Sequence, residues 1–132
     1  MQWAIQYVAP GKLQLKKIPV PQPQQGEVLI KVLAAPINPS DLHFQKGYYH
    51  DHDLFKIHIP SVPGWEGSGV VVKSGGGRST WGWVGCTVSF TRKMINGNEM
   101  VTGGSYQQYI VTDTNSLIDQ TNSGIPVEIC AM

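Results

Sequence analysis

Apolar residues in this chain alternate with polar ones over short runs, and glycine or proline closes most of those runs. A period of two marks half-buried strands rather than helices. Gln2 to Val8 predicts a first strand with Trp3, Ile5 and Tyr7 on one face. Pro10-Gly11 then predicts a turn, and Leu13 to Ile18 the hairpin partner. Pro19 to Pro23 reads as an extended connector. Glu27 to Ala35 is a long strand in which Val28, Ile30 and Val32 share one face and Leu29 and Leu33 the other. Apolar residues on both faces predict a central strand buried on both sides. Gly67 to Lys73, Thr87 to Thr91 and Ser105 to Thr112 are further strands. Ser74-Gly75-Gly76-Gly77 closes the first of them, and Asn96-Gly97 is a hairpin-type turn signal between the last two.

Two short helices interrupt this pattern. Asn38 is a candidate cap, Pro39 suits a first helical position, Asp41 a first turn and Gly47 a stop. Ser40 to Lys46 is therefore expected to make about two turns, with Leu42 and Phe44 turned inward. Near the other end, Pro126 and Glu128 mark a helix entry shortly before Met132. Isolated helices below roughly 12 residues are marginal in water, so this tail is expected to fray or to be ordered only by another chain. The whole reads as one mainly β domain over residues 1–132, a partly open barrel with one or two short helices.

Composition narrows the functional classes. Lys and Arg number 10 against 9 Asp and Glu, a net charge of +1, which argues against nucleic acid or an anionic membrane as partner. Charged residues make up 14% of the chain, below the roughly 25% of an ordinary soluble domain, as expected of a surface that is partly covered. Cys86 and Cys130 have no framework spacing and read as free thiols in a reducing compartment, with a disulfide as the alternative. Met1 to Tyr7 has no basic-then-apolar pattern of a signal peptide and no arginine. No apolar run approaches the roughly 20 residues of a membrane span. The expectation is a soluble intracellular protein without membrane insertion, cytoplasmic, with a mitochondrial location left open.

Two tempting features carry little. His43, His50, His52 and His58 with Asp51 and Asp53 sit in or near a loop without metal-site spacing, so no metal is expected there. Gly75-Gly76-Gly77 lacks the strand–glycine–helix context and the lysine of a phosphate cradle.

The segments that bear chemistry are Ala35-Pro36-Ile37-Asn38-Pro39-Ser40-Asp41 and Pro63-Gly64-Trp65-Glu66-Gly67-Ser68-Gly69. Together with Gly26 to Val32, Gly47-Tyr48-Tyr49 and Gly104-Ser105-Tyr106, they run in order along nearly the whole chain. This series resembles the GroES-like N-terminal domain of zinc-independent quinone oxidoreductases and enoyl thioester reductases in the medium-chain dehydrogenase/reductase superfamily. In the zinc-dependent branch the positions matching Asn38 and Trp65 are a metal-binding Cys and His. An amide and an indole do not replace them. The four-cysteine structural zinc loop has no counterpart either, so the resemblance implies no metal. It implies that Asn38 binds near the nicotinamide ribose of NADPH, while a helix cap remains its plainer role. Tyr49 matches a tyrosine that hydrogen-bonds or protonates substrate, with loop packing as the alternative and Tyr48 able to exchange with it. Trp65 walls the substrate pocket or simply packs, Glu66 orients other groups or forms a structural ion pair or backbone hydrogen bond, and Asp41 lies beside them or serves only the helix dipole.

Hydride passing from NADPH to a quinone, enone or 2-enoyl thioester is the activity implied. The pyrophosphate site of that chemistry is a strand–Gly-x-Gly-x-x-Gly–helix unit, which this sequence lacks. By itself the chain is therefore expected to be inactive and to hold no cofactor tightly. It fits one part of a reductase completed by a Rossmann-domain polypeptide, or else a non-catalytic scaffold within a larger assembly. An unrelated β-barrel binding module ranks behind both.

Overall fold

A computed structural model describes residues 1–46, 59–95, 99–100 and 103–131. In chain order these form β1 (Gln2–Ala9), β2 (Lys12–Ile18), β3 (Glu27–Ala34), α1 (Pro39–Gln45), β4 (Glu66–Ser74), β5 (Thr87–Thr91) and β6 (Met94–Ile95). There follow β7 (Glu99–Met100), β8 (Tyr109–Asp113), β9 (Leu117–Asp119) and α2 (Val127–Cys130). Five strands make an antiparallel sheet in the order β8-β3-β4-β5-β9, while β1 pairs with β2 and β6 with β7. The Asn96-Gly97 turn signal falls between β6 and β7, outside the described residues. The sheets curl without closing, giving the partly open barrel expected from the strand pattern, GroES-like as the resemblance implies.

The curl has local causes. Pairing of β3 with β4 shifts register between Leu29 and Ile30 and again between Val32 and Ala34, and such irregularities bend a strand and increase its twist. Gly69 lies opposite Val32, where a β-carbon would overlap the carbonyl of Lys31, so the two strands approach only because that position is bare. Inside the curl, Val28 and Ile30 of β3, Val71 of β4, Val88 and Phe90 of β5 and Ile110 of β8 form the core, none more than 2% exposed. Each such side chain contributes roughly 1.5–3 kcal/mol relative to exposure.

Several expectations need correction. Trp3 and Ile5 are exposed at 46% and 36%, whereas Gln2 and Ala4 point inward with Tyr7. Gln2 is tolerated there because its amide is satisfied: Nε2 donates to Gln107 Oε1 (2.8 Å) and Tyr109 O (3.1 Å), and Oε1 accepts from Tyr109 N (2.6 Å). β3 is buried on both faces only over Glu27 to Ile30, since Leu33 is 49% exposed. β8 begins at Tyr109 rather than Ser105. Leu42 is 47% exposed rather than turned inward, and the side chain of Phe44 lies outside the described residues. β9 was not anticipated.

The tail is the largest correction. α2 is a single turn, yet it docks on the sheet of its own chain. Ser68 of β4 donates to the carbonyl of Val127, Ser89 of β5 donates to that of Cys130 (2.6 Å), and Cys130 and Ala131 are buried. Hydroxyls from two neighbouring strands satisfy carbonyls that a short helix leaves open, so no second chain is needed to order it. Both thiols are free.

Candidate functional site

β3 delivers the chain to the site. After Ala34 three residues lead to Asn38, whose carbonyl accepts from Asp41 N (3.0 Å) and Leu42 N (3.3 Å), opening α1. The Asp41 carboxylate reaches back, its Oδ2 accepting from Asn38 N (2.8 Å). That is the returning half of a capping box, with aspartate in place of the usual glutamate. The Asn38 side chain points across to β4, where Nδ2 donates to Glu66 Oε1 (2.9 Å). The two chemistry-bearing segments of the sequence thus meet through an amide–carboxylate hydrogen bond between a strand exit and a strand start.

Behind this pair lies a buried cluster. Arg92 follows β5 directly and is 4% exposed, while Asp41 is 5% exposed. The Arg92 backbone N donates to Trp65 O (2.8 Å), its Nη1 lies 3.5 Å from Gly64 O, and its guanidinium sits 5.9 Å from the Trp65 ring centroid. Burial pulls the Arg92 pKa down to about 10, and the Asp41 charge opposes that fall. Tyr106 donates from its hydroxyl to Pro36 O (3.0 Å) beside the Asp41 carboxylate. Burial, and secondarily Asp41, push its pKa well above the ordinary 10 and keep the phenol neutral. Gly64 holds the turn before Trp65 at φ +102°, where a β-carbon would overlap Ser105 Oγ and its backbone nitrogen.

Four of the sequence candidates are therefore gathered by the fold: Asn38, Asp41, Trp65 and Glu66. Tyr49 lies outside the described residues, as do His50, Asp51, His52, Asp53 and His58. Among the described residues no three His, Cys, Asp or Glu side chains gather where they could hold a metal ion. Arg92 went unremarked in the sequence, and Tyr106 was noted only as part of a motif. A lone arginine after an apolar strand carries no linear signal of burial; its meaning comes from Asp41, some fifty positions away, a separation only the fold closes.

Comparison with known proteins fits this geometry. Residues 24–122 match the alcohol dehydrogenase GroES-like domain model. The chain belongs to that family, within the medium-chain dehydrogenase/reductase superfamily. The mitochondrial enoyl-[acyl-carrier-protein] reductase of Xenopus tropicalis is 44% identical over 63 residues, 48% of this chain and 17% of the relative. The quinone oxidoreductase of Coxiella burnetii superposes with a TM-score of 0.77 at 25% identity, over 98% of this chain and 40% of that one. A cobalt- and zinc-bound thermostable alcohol dehydrogenase from Pyrobaculum aerophilum does so with a TM-score of 0.82 at 26% identity, over 98% and 44%. The GroES-like chain thus spans less than half the length of each of these relatives. Among the described residues no helix is long and apolar enough to cross a membrane.

Proposed function

We propose that this GroES-like chain forms one wall of the cleft of an NADPH-dependent, zinc-independent reductase acting on quinones, conjugated enones or 2-enoyl thioesters. The observation that supports the reading is the hydrogen bond from Asn38 Nδ2 to Glu66 Oε1. An amide presents one carbonyl acceptor and one amino donor; with the amino side turned to Glu66, the carbonyl is left to accept from a hydroxyl. A ribose hydroxyl of NADPH is such a partner, so the residues present fit the cofactor. Zinc fits them poorly. The position next to Glu66 is an indole stacked near a buried guanidinium, and a second cation beside Arg92 is repelled.

When bound, the reduced nicotinamide supplies hydride to the activated double bond or quinone. The chain's own residues orient and shield. Asn38 fixes the ribose, Glu66 fixes Asn38, and Trp65, backed by Arg92, walls the cleft against water. Tyr49, a neutral phenol at pH 7, hydrogen-bonds the substrate carbonyl or delivers the proton that completes reduction. A dinucleotide-binding domain, in the same or a separate polypeptide, forms the opposite wall.

The test is NADPH oxidation with a quinone and with an enoyl thioester, by the chain alone and with a dinucleotide-binding domain supplied in trans. Saturable turnover is expected only with the second domain, and Asn38→Ala should then raise the KM for NADPH severalfold. Elemental analysis should find no stoichiometric zinc. Saturable turnover by the isolated chain, or one tightly held zinc per chain, overturns the proposal.

A further inference from the structure

Far from the Asn38–Glu66 pair in sequence, β2 is an edge strand. One side of it pairs with β1 along all seven of its residues. β1 is in turn tied to the body of the chain: Ile5 N donates to Tyr106 O (2.9 Å), Tyr7 N to Ser61 O (2.7 Å), and Gln108 N to Trp3 O (3.2 Å). Among the described residues nothing pairs with the other side of β2. Its outward backbone groups therefore stand at strand spacing on a hairpin that the fold holds in place. Such an edge is a template for a further strand.

The side chains of the hairpin define the strand that fits. Residues 1–26 contain Lys12, Lys16 and Lys17 and no acidic residue, whereas 27–132 contain seven basic and nine acidic ones. The net charge of +1 thus conceals a positive hairpin, and all three lysines are exposed. Pairing with β1 sets Lys17 beside Trp3 and Leu15 beside Ile5 on one face, and Lys16 beside Ala4 on the other. Alternation then puts Lys12, Gln14 and Lys16 on one face and Leu13, Leu15 and Lys17 on the opposite one. A second copy paired edge to edge would bring six lysines together, and like charges across strands repel. A flat anionic membrane meets one face of the hairpin at a time, leaving either Lys17 or the Lys12 and Lys16 pair unused. A strand laid along the edge meets both faces at once. We propose that β2 adds an extended acidic segment of a partner protein as a further strand, with acidic side chains beside Lys12, Gln14 and Lys16 and apolar ones beside Leu13 and Leu15. Backbone hydrogen bonds hold the segment, and the lysines select its charge.

The experiment is a titration of the 132-residue chain, followed by backbone amide NMR, with a heptapeptide that alternates glutamate and valine. Two control peptides separate the contributions. One is the same sequence with every backbone nitrogen methylated, which keeps the charge and removes the donors; the other alternates lysine and valine. The glutamate peptide should shift the amides of residues 12–18 and bind about tenfold more tightly than either control. Raising the salt from low to high ionic strength should weaken it severalfold. Lys12→Glu combined with Lys16→Glu changes two exposed side chains and leaves the core intact; it should lose the glutamate peptide and take up the lysine peptide. Vesicles of phosphatidylserine and phosphatidylcholine should leave these amides unmoved. Equal binding of the methylated peptide, unchanged preference in the double variant, shifts centred outside 12–18, pairing of two copies through β2, or vesicles shifting residues 12–18 where the peptide does not would each overturn the proposal.

Discussion

Replacing Arg92 by methionine isolates the interaction that holds the site together. Arg92 and Asp41 are 4% and 5% exposed, in a region where charges are tolerated only in compensated form. The fall of the Arg92 pKa from 12.5 to about 10 corresponds to a net burial penalty on the order of 3 kcal/mol, which methionine escapes. Against that gain, the variant leaves the Asp41 carboxylate buried without its countercharge. It also gives up the contact with Gly64 O and the stacking on Trp65, the latter worth about 0.5–2 kcal/mol. Arg92 and Asp41 attract each other through space without a direct ion pair, yet a buried carboxylate deprived of its nearby positive charge still carries a cost of about 3 kcal/mol or more. Arg92→Met should therefore destabilise the chain by about 3 kcal/mol or more. Adding Asp41→Asn should restore about 2 kcal/mol, because the amide still offers Asn38 N an acceptor and carries no charge. Urea unfolding followed by tryptophan fluorescence reads both values from the shift in midpoint at constant slope. A single variant within 1 kcal/mol of the parent, or a double variant that is simply additive, would show that Arg92 and Asp41 do not depend on each other.

Other consequences are equally direct. Gly64→Ala must adopt φ +102° and push into Ser105, so a loss of about 2 kcal/mol or more is expected by the same unfolding assay. Ile110→Ala, at a fully buried position of β8, should cost about 2–5 kcal/mol. Ser89→Ala removes the hydroxyl that holds the Cys130 carbonyl; amide exchange over 127–131 should accelerate while Ile30 stays protected, and unchanged exchange would mean that α2 is not held from β5. In an assembled reductase, Tyr49→Phe should lower kcat with little change in the KM for NADPH, and an unchanged kcat would remove Tyr49 from the mechanism.

Much of this protein is legible along the chain. The period-two pattern between glycines and prolines is a local property, because a strand's side chains alternate whatever lies beyond it. That is why β1 to β5 were placed to within a residue or two at each end, and why Val28 and Ile30 of β3 were evident as one face. The motifs around Asn38 and Glu66 are local too, each compact enough to be recognised as a word. Local rules also set where α1 starts, since Pro39 and Asp41 act within one turn of Asn38.

What the chain did not disclose depends on partners distant in sequence. Gln2 is inside and Trp3 outside because Gln107 and Tyr109 supply three hydrogen bonds to a buried amide, and alternation alone is blind to which face receives them. α2, too short to persist by itself, is ordered because Ser68 and Ser89 happen to stand beneath its carbonyls. Arg92 becomes part of the site only when β5 brings it under Trp65 and beside Asp41. In each case the deciding quantity is whether a polar group finds its partner once water is excluded, and that depends on tertiary placement, which no run of neighbouring residues contains.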